Sequence, residues 1–307
     1  MPKLAIVIPA YKPDFFSRTL QSLADQTCKD FSVYVGDDAS PFDLASIVEK
    51  YRDHLNVNYF RFANNLGKKN LSDHWKRCVE LCNDEDWVCL FSDDDVIESG
   101  CIEAFHHTRI PDSVDVLHFD INLIDANEHV VQNCPPYPQR ITSSEFFDKL
   151  FRRQLVARMP EFIFRKSFLE RIGFISFDLA WRSDTATVLA AGKRGGIVTI
   201  KGSKSRVLWR ISDSNISGGK YLEERKNRAS LDFFNWSKSF FESNGFELPM
   251  GRLYLLKTIV FSLEYRKWDQ FLKDVLFAAS NLDYARGIGK LWLLSFAFYR
   301  LIYRKFE

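Results

Sequence analysis

Apolar and polar positions follow two different periods along the first hundred residues. Leu4-Ala5-Ile6-Val7-Ile8 is an unbroken apolar run of strand length, ended by Pro9. Phe16, Leu20 and Leu23 then recur at helical spacing, with Asp14 placed as a helix cap. Residues 31–35 predict a second strand, broken by Gly36-Asp37-Asp38, and Leu44, Ile47, Val48 and Tyr51 form a second helical stripe. Residues 57–62 predict a third strand, and Leu71, Trp75, Cys78 and Cys82 a third helix. A fourth strand over 87–91 ends at Ser92-Asp93-Asp94-Asp95. This alternation predicts an α/β fold, a mostly parallel sheet flanked by helices. Ligands of such sheets collect at the carboxyl ends of the strands.

The middle of the chain is more mixed. Residues 114–121 read as a strand with a return over 124–131, and 134–138 as a proline-rich loop. Ser143 and Ser144 open a helix that runs through Leu150, and 162–164 is a short strand. Residues 182–191 read as a helix closed by Gly192, followed by strands at 197–200 and 206–211. The polar, Gly- and Ser-rich stretch 212–219 reads as a mobile loop. Everything after Tyr221 has helical character, broken at Pro249-Met250-Gly251 and Gly287-Ile288-Gly289.

Charge sharpens this division. The 307 residues carry 42 Lys/Arg against 40 Asp/Glu, which gives no field on the scale nucleic acid needs. The balance hides an asymmetry: residues 1–219 hold 27 basic and 30 acidic groups, whereas 220–307 hold 15 and 10, with 20 of the 46 aromatic residues. We therefore expect a catalytic unit at 1–219 and a helical segment at 220–307. No apolar run reaches membrane-spanning length, and the N-terminus lacks a signal-peptide pattern. The six cysteines show no CxxC pair or secreted framework and read as free thiols of a reducing, cytoplasmic setting.

The candidate chemistry sits at strand ends: Asp37-Asp38 after the second strand and Asp93-Asp94-Asp95 after the fourth. Adjacent carboxylates repel unless donors or a cation compensate. Hard divalent cations take carboxylate oxygen and share such sites with substrate phosphates. An acidic turn is also favoured at a helix N-terminus for ordinary reasons.

These residues resemble a known family. The segments Ala5-Ile6-Val7-Ile8-Pro9-Ala10-Tyr11-Lys12, Leu23-Ala24-Asp25-Gln26-Thr27, Val33-Tyr34-Val35-Gly36-Asp37-Asp38-Ala39-Ser40, Asn64-Asn65-Leu66-Gly67 with Asn70, and Phe91-Ser92-Asp93-Asp94-Asp95-Val96 are similar, in order and spacing, to the inverting family-2 glycosyltransferases. The resemblance covers about residues 3–105 closely and extends more loosely to 217. It implies a GT-A fold with a C-terminal helical extension, a nucleoside diphosphate sugar donor (most simply a UDP-sugar) and a saccharide or lipid-linked saccharide acceptor. On this resemblance Pro9, Ala10 and Tyr11 line the base pocket and Asp38 accepts a hydrogen bond from the base. Asn65, Gly67 and Asn70 form the donor loop, and Asp93 lies near the ribose. Asp94 and Asp95 reach a divalent cation, Mn²⁺ or Mg²⁺. Many members carry Asp where Ser92 stands. Asp184, in Trp181-Arg182-Ser183-Asp184-Thr185, matches the general base, with Asp178 as the second candidate. Trp209-Arg210-Ile211-Ser212 resembles a later segment in which Arg210 positions the diphosphate or braces the loop, and the position often held by His is Ser212. The loop 212–220 is expected to close over the donor.

The tail, 290–306, reads Lys-Leu-Trp-Leu-Leu-Ser-Phe-Ala-Phe-Tyr-Arg-Leu-Ile-Tyr-Arg-Lys-Phe. It suits a helix packed on the core, one lying in a lipid headgroup region on the inner face of the membrane, or an aromatic acceptor cleft whose Trp and Tyr faces stack on sugar rings. Two other functions fit the front half less well. A sugar nucleotidyltransferase would need a Gly-rich basic loop after the first strand, where Pro9-Ala10-Tyr11-Lys12-Pro13 stands. A non-catalytic nucleotide- or glycan-binding module would need no base at Asp184.

Overall fold

Strands and helices alternate as the periodicity predicts. In the computed structural model, which describes residues 2–211, 222–247, 249–263 and 267–304, β1 (Leu4–Ala10), β2 (Ser32–Asp37), β3 (Val57–Arg61) and β4 (Trp87–Leu90) lie parallel in the order β3-β2-β1-β4. The crossovers are α1 (Phe16–Ala24), α2 (Leu44–Glu49) and α3 (Leu71–Val79). Both faces of β1 are covered: Ala5 and Val7 enter one apolar cluster, Leu4, Ile6 and Ile8 the other. That two-sided burial explains its continuous apolar run.

The sheet continues through β9 (Phe162–Arg165), β6 (Val116–Ile124), β10 (Ile197–Ile200) and β8 (Arg140–Ile141). β9 is antiparallel to both β4 and β6, whereas β10 runs parallel to β6. β6 serves two layers. Its first half pairs with β9 and β10, and Asp120 to Ile124 pair with β11 (Arg206–Arg210), with β7 (Val130–Asn133) on the other side. β11 also pairs with β5 (Val96–Ile97), the short strand that follows the acidic turn. The turn is thus fixed from both ends, by β4 before it and by the β5–β11 pair after it. α4 (Cys101–His107) follows β5, and α6 (Lys166–Ile172) follows β9.

Local signals were partly overridden. Asp14 does not cap α1, whose N-terminus has no side-chain cap. Asp43 caps α2 and Asn70 caps α3, each accepting a backbone N–H. A capping box of Thr142 and Glu145 opens α5 (Ser143–Phe151). α3 stops at Val79, short of Cys82. α7 (Ser183–Gly195) runs through Gly192, where a Cβ would stand 2.7 Å from Ser143 Oγ. That glycine permits close packing on α5, and Gly196, at φ 69°, ends the helix instead.

The C-terminal residues form α8 (Glu223–Ser243), α9 (Arg252–Ser262), α10 (Trp268–Asn281) and α11 (Gly289–Arg304). They share one apolar cluster with β1, β4, α5 and α7. The seam is aromatic: Phe147 meets Phe241 edge-on at 5.2 Å, and Phe151 meets Phe234 at 5.1 Å. Much of the phenylalanine excess lies in this joint. Among the described residues no helix is long and apolar enough to cross a membrane.

Candidate active site

A cleft of about 650 Å³ opens where β1, β2 and β4 end. Pro9, Tyr11, Asp38, Asn65, Gly67, Asp93, Asp94 and Asp184 all line it. Ala10, Asn70, Asp95 and Arg210, also expected there, do not.

The three adjacent carboxylates of the β4–β5 turn take three directions. Asp93 Oδ2 accepts the backbone N–H groups of Tyr11 and Lys12, each at 2.8 Å. Burial, and then the charge of Asp94, push its pKa up to about 6, against the pull of those amides. Asp95 is fully buried and its Oδ1 accepts the Arg210 N–H at 2.7 Å. Burial and Asp94 hold its carboxyl well above the ordinary range. The structure therefore turns Asp95 Oδ1 towards β11, and of the two expected metal ligands only Asp94 lines the cleft. Lys12 Nζ lies 3.8 Å from Asp94. Lys12 lines the cleft too and escaped the sequence reading, because a lone lysine after a strand carries no pattern.

Among the described residues no three His, Cys, Asp or Glu side chains converge as a metal cage. What the cleft offers is hard oxygen from Asp93 and Asp94. That donor set fits a cation held by one or two carboxylates and a substrate diphosphate, and does not fit an all-protein site.

Asp38 organises the second strand end. Its backbone N–H donates to the Ala10 carbonyl at 3.0 Å, which leaves Ala10 behind the wall. Its carboxylate accepts the Leu66 and Gly67 N–H groups, each at 2.8 Å, and contacts the Arg77 guanidinium. A Cβ on Gly67 would lie 2.7 Å from Asp38 Oδ2, so only glycine allows this approach. Asp38 thus fastens the 64–67 loop to the sheet while facing the cleft. Burial lowers the pKa of neighbouring His74 to about 4, so its ring is neutral at neutral pH. Asn65 Oδ1 accepts the Lys68 N–H at 2.8 Å, whereas Asn70 serves α3 as its cap.

Arg210 is fully buried. It donates from Nε to the Asp94 carbonyl at 2.8 Å and from Nη1 to the Asp125 and Ala126 carbonyls. Its guanidinium lies 4.2 Å over the Phe15 ring. Arg210 thus holds the backbone of the acidic turn. Strand alternation sends Trp209 to the cleft instead. The loop 212–220 lies outside the described residues.

The wall that carries Asp184 is strained. Leu179, Ala180 and Arg182 adopt left-handed φ values of 60°, 53° and 68°. Such positions cost on the order of 1 kcal/mol each in non-glycine residues and tend to gather at functional sites. α8 supplies the restraint. Ser230 Oγ accepts the Trp181 Nε1–H at 3.0 Å, Lys226 lies 4.6 Å over the same ring, and Arg225 clamps Asp178 with two bonds of 2.6 and 2.8 Å. Asp178 is held there outside the cleft lining, its pKa lowered by Arg225. Asp184 follows in the first turn of α7, its Oδ1 accepting the Thr185 N–H at 2.6 Å. Only the folded chain reveals that residues 178–182 need α8.

Behind the cleft residue Pro160, His118 Nε2 and Glu161 Oε1 lie 3.3 Å apart and are fully buried. Burial pushes the Glu161 carboxyl well up and the His118 imidazole well down, which favours the uncharged form of each. A protonated Glu161 contributes stability that is complete below its ordinary pKa of 4.5 and is lost as pH rises towards its folded value. Glu161→Gln removes that loss. Its stability relative to wild type should improve by about 1.4 kcal/mol per pH unit above that point while native Glu161 stays protonated. Urea unfolding at pH 5.5 and 7.5, roughly bracketing neutrality, reads this difference. A stability difference that does not move between the two pH values would mean that the folded His118–Glu161 pair holds no extra proton.

Comparison with known proteins places the chain by family and by fold. A family model described as Glycosyl transferase family 2 matches residues 5–173. Validoxylamine A glucosyltransferase of Streptomyces hygroscopicus subsp. limoneus is 41% identical over 70 residues, 22% of this chain and 15% of that protein. The GalNAc(5)-diNAcBac-PP-undecaprenol beta-1,3-glucosyltransferase of Campylobacter jejuni is 24% identical over 190 residues, 57% of this chain and 55% of that one. The matches thus span at most about half the length of these curated relatives. Among solved structures, S. aureus TarS 1-349 in complex with UDP-GlcNAc aligns at TM-score 0.58 and 18% identity, covering 98% of this chain and 92% of that one. The mannosyltransferase PcManGT of Pyrobaculum calidifontis, in complex with GDP-Man and Mn²⁺, aligns at 0.56 and 14%, covering 99% and 83%. At these identities the likeness is one of fold, a GT-A-type sheet with its helices.

Proposed function

Because this chain belongs to glycosyl transferase family 2, and is on that ground a glycosyltransferase, we propose that it carries a sugar from a UDP-sugar to a hydroxyl of a saccharide or lipid-linked saccharide, with inversion. The observation that carries the reading is one juxtaposition. Asp93 and Asp94 from the β4–β5 turn and Asp184 from the start of α7, about ninety residues apart, line the same cleft. Two named neighbours support the donor class: TarS was solved with UDP-GlcNAc and PcManGT with GDP-Man and Mn²⁺. The lipid-linked acceptor is supported by the name of the Campylobacter relative.

In this reading Pro9 and Tyr11 flank the base, and the loop fastened by Asp38, with Asn65 and Gly67, closes that side. Asp93 faces the ribose. Asp94 would hold a divalent cation together with the donor diphosphate. When bound, that cation supplies Lewis-acid stabilisation of the charge on the leaving group. Lys12 adds positive charge beside Asp94. Asp184 takes the proton from the acceptor hydroxyl, whose oxygen attacks the anomeric carbon on the face opposite the diphosphate. Trp181 and Trp209 line the cleft as flat surfaces for sugar rings. Family membership sets aside the nucleotidyltransferase alternative.

The test is thermal stabilisation by nucleoside diphosphates. UDP with Mn²⁺ should raise the melting temperature more than either alone, since a ligand at a hundredfold excess over Kd adds about 2.7 kcal/mol. Stabilisation by GDP or dTDP without UDP would move the donor assignment. Stabilisation by none would remove the nucleotide site.

A further inference from the structure

α11 is inverted relative to an ordinary surface helix. Its inward face packs Leu293 and Ala297, both buried. Its outward face, from Ile288 on, presents Leu291, Trp292, Leu294, Phe298 and Ile302, with Leu291 and Phe298 each 67% exposed. Leu291, Leu294, Phe298 and Ile302 follow helical spacing, so they form one stripe about 16 Å long at 1.5 Å per residue. Ser295 is the polar residue within it, and no charge interrupts it. Of 18 large hydrophobic side chains exposed among the described residues, 11 lie between Leu253 and Ile302. A second apolar stripe, opposite the one already buried, needs a second apolar partner.

The charge around it identifies the partner. Among the described residues from 251 to 302, the exposed charged side chains are Arg252, Lys257, Lys267, Lys273, Arg286 and Lys290 against Asp269 alone. Asp274 is buried, and Asp283 is paired with Arg286. An apolar stripe with a Trp, on a unit whose exposed charge is almost wholly positive, matches the order of a bilayer surface: acyl chains, then interface, then anionic headgroups. A second copy of the chain would bring the same positive charge and be repelled. We propose that the outward face of α11 docks this enzyme on an anionic phospholipid surface, lying in the interface without crossing it. The proposal extends the lipid-linked acceptor reading and rests on it only for why a bilayer is needed; the docking is tested without any transfer assay.

The full chain is sedimented with vesicles of phosphatidylglycerol mixed with phosphatidylcholine and with vesicles of phosphatidylcholine alone. Wild type should bind the anionic vesicles and lose them as salt rises. Leu291→Glu together with Phe298→Glu should weaken that binding by about tenfold or more, the scale of two apolar side chains withheld from lipid. Both positions are exposed, so the variant's melting temperature and its stabilisation by UDP should match wild type. Absence of wild-type binding to anionic vesicles would overturn the proposal. So would a concentration-dependent dimer in sedimentation equilibrium that the same two substitutions dissolve. Vesicle binding without transfer from any sugar nucleotide would remove the functional reading and leave the docking intact.

Discussion

Asp94→Ala should abolish sugar transfer, by about 10³-fold or more, in a chain that stays folded. The neighbouring carboxylates cannot replace it. Asp93 is oriented by the Tyr11 and Lys12 amides, and Asp95 is buried against the Arg210 amide. Removing Asp94 also removes the like charge that raises the pKa of both neighbours, so the variant should be no less stable than wild type. Three measurements decide the matter together: UDP release in the presence of Mn²⁺, the melting temperature, and the Mn²⁺-dependent part of stabilisation by UDP. The first and third should collapse and the second should hold. Transfer within about tenfold of wild type would exclude Asp94 from the charge-stabilising role.

The second large effect belongs to Asp184. Asp184→Asn keeps the shape of the first turn of α7 and removes the proton acceptor, so turnover should fall by about 10²–10⁴-fold. Stabilisation by UDP and Mn²⁺ should not change, because the acceptor side is the part altered. Asp178→Asn is the comparison. Its carboxylate is spent on Arg225 outside the cleft lining, so that variant should affect the restraint of the wall far more than the proton transfer. If Asp178→Asn lost turnover at unchanged stability while Asp184→Asn did not, the base would have to be reassigned.

The front of the molecule was legible because its signals are local. An apolar run such as 4–8 is a strand buried on both faces whatever lies elsewhere, and Asp93-Asp94-Asp95 sits at a strand end because the run before it has strand length. The helix caps were less legible. Asp14 reads as a cap and is not one, whereas Asp43 caps α2. Gly192 looked like a stop, but the neighbour that requires it, Ser143, is 49 residues away.

The tail shows the same limit in another form. Its composition allowed a packed helix, a lipid-facing one or an aromatic acceptor cleft. The structure gives each face of α11 its own environment: Leu293 and Ala297 turn inward, Leu291 and Phe298 outward. Farther upstream, α8 is the element that holds the strained wall before Asp184, through Arg225, Lys226 and Ser230. Nothing in the polar pattern of α8 announces that task.

By itself the sequence determined the alternating α/β order, the acidic strand ends and the family resemblance that points to Asp184. These depend on period and spacing, which the chain carries locally. Only the tertiary structure decided which of the three adjacent carboxylates line the cleft, that Arg210 holds the acidic turn while Trp209 faces the cleft, and that Lys12 stands beside Asp94. A side chain at a turn goes where donors and space from distant elements allow. Here the donor that claims Asp95 comes from a residue 115 positions along the chain.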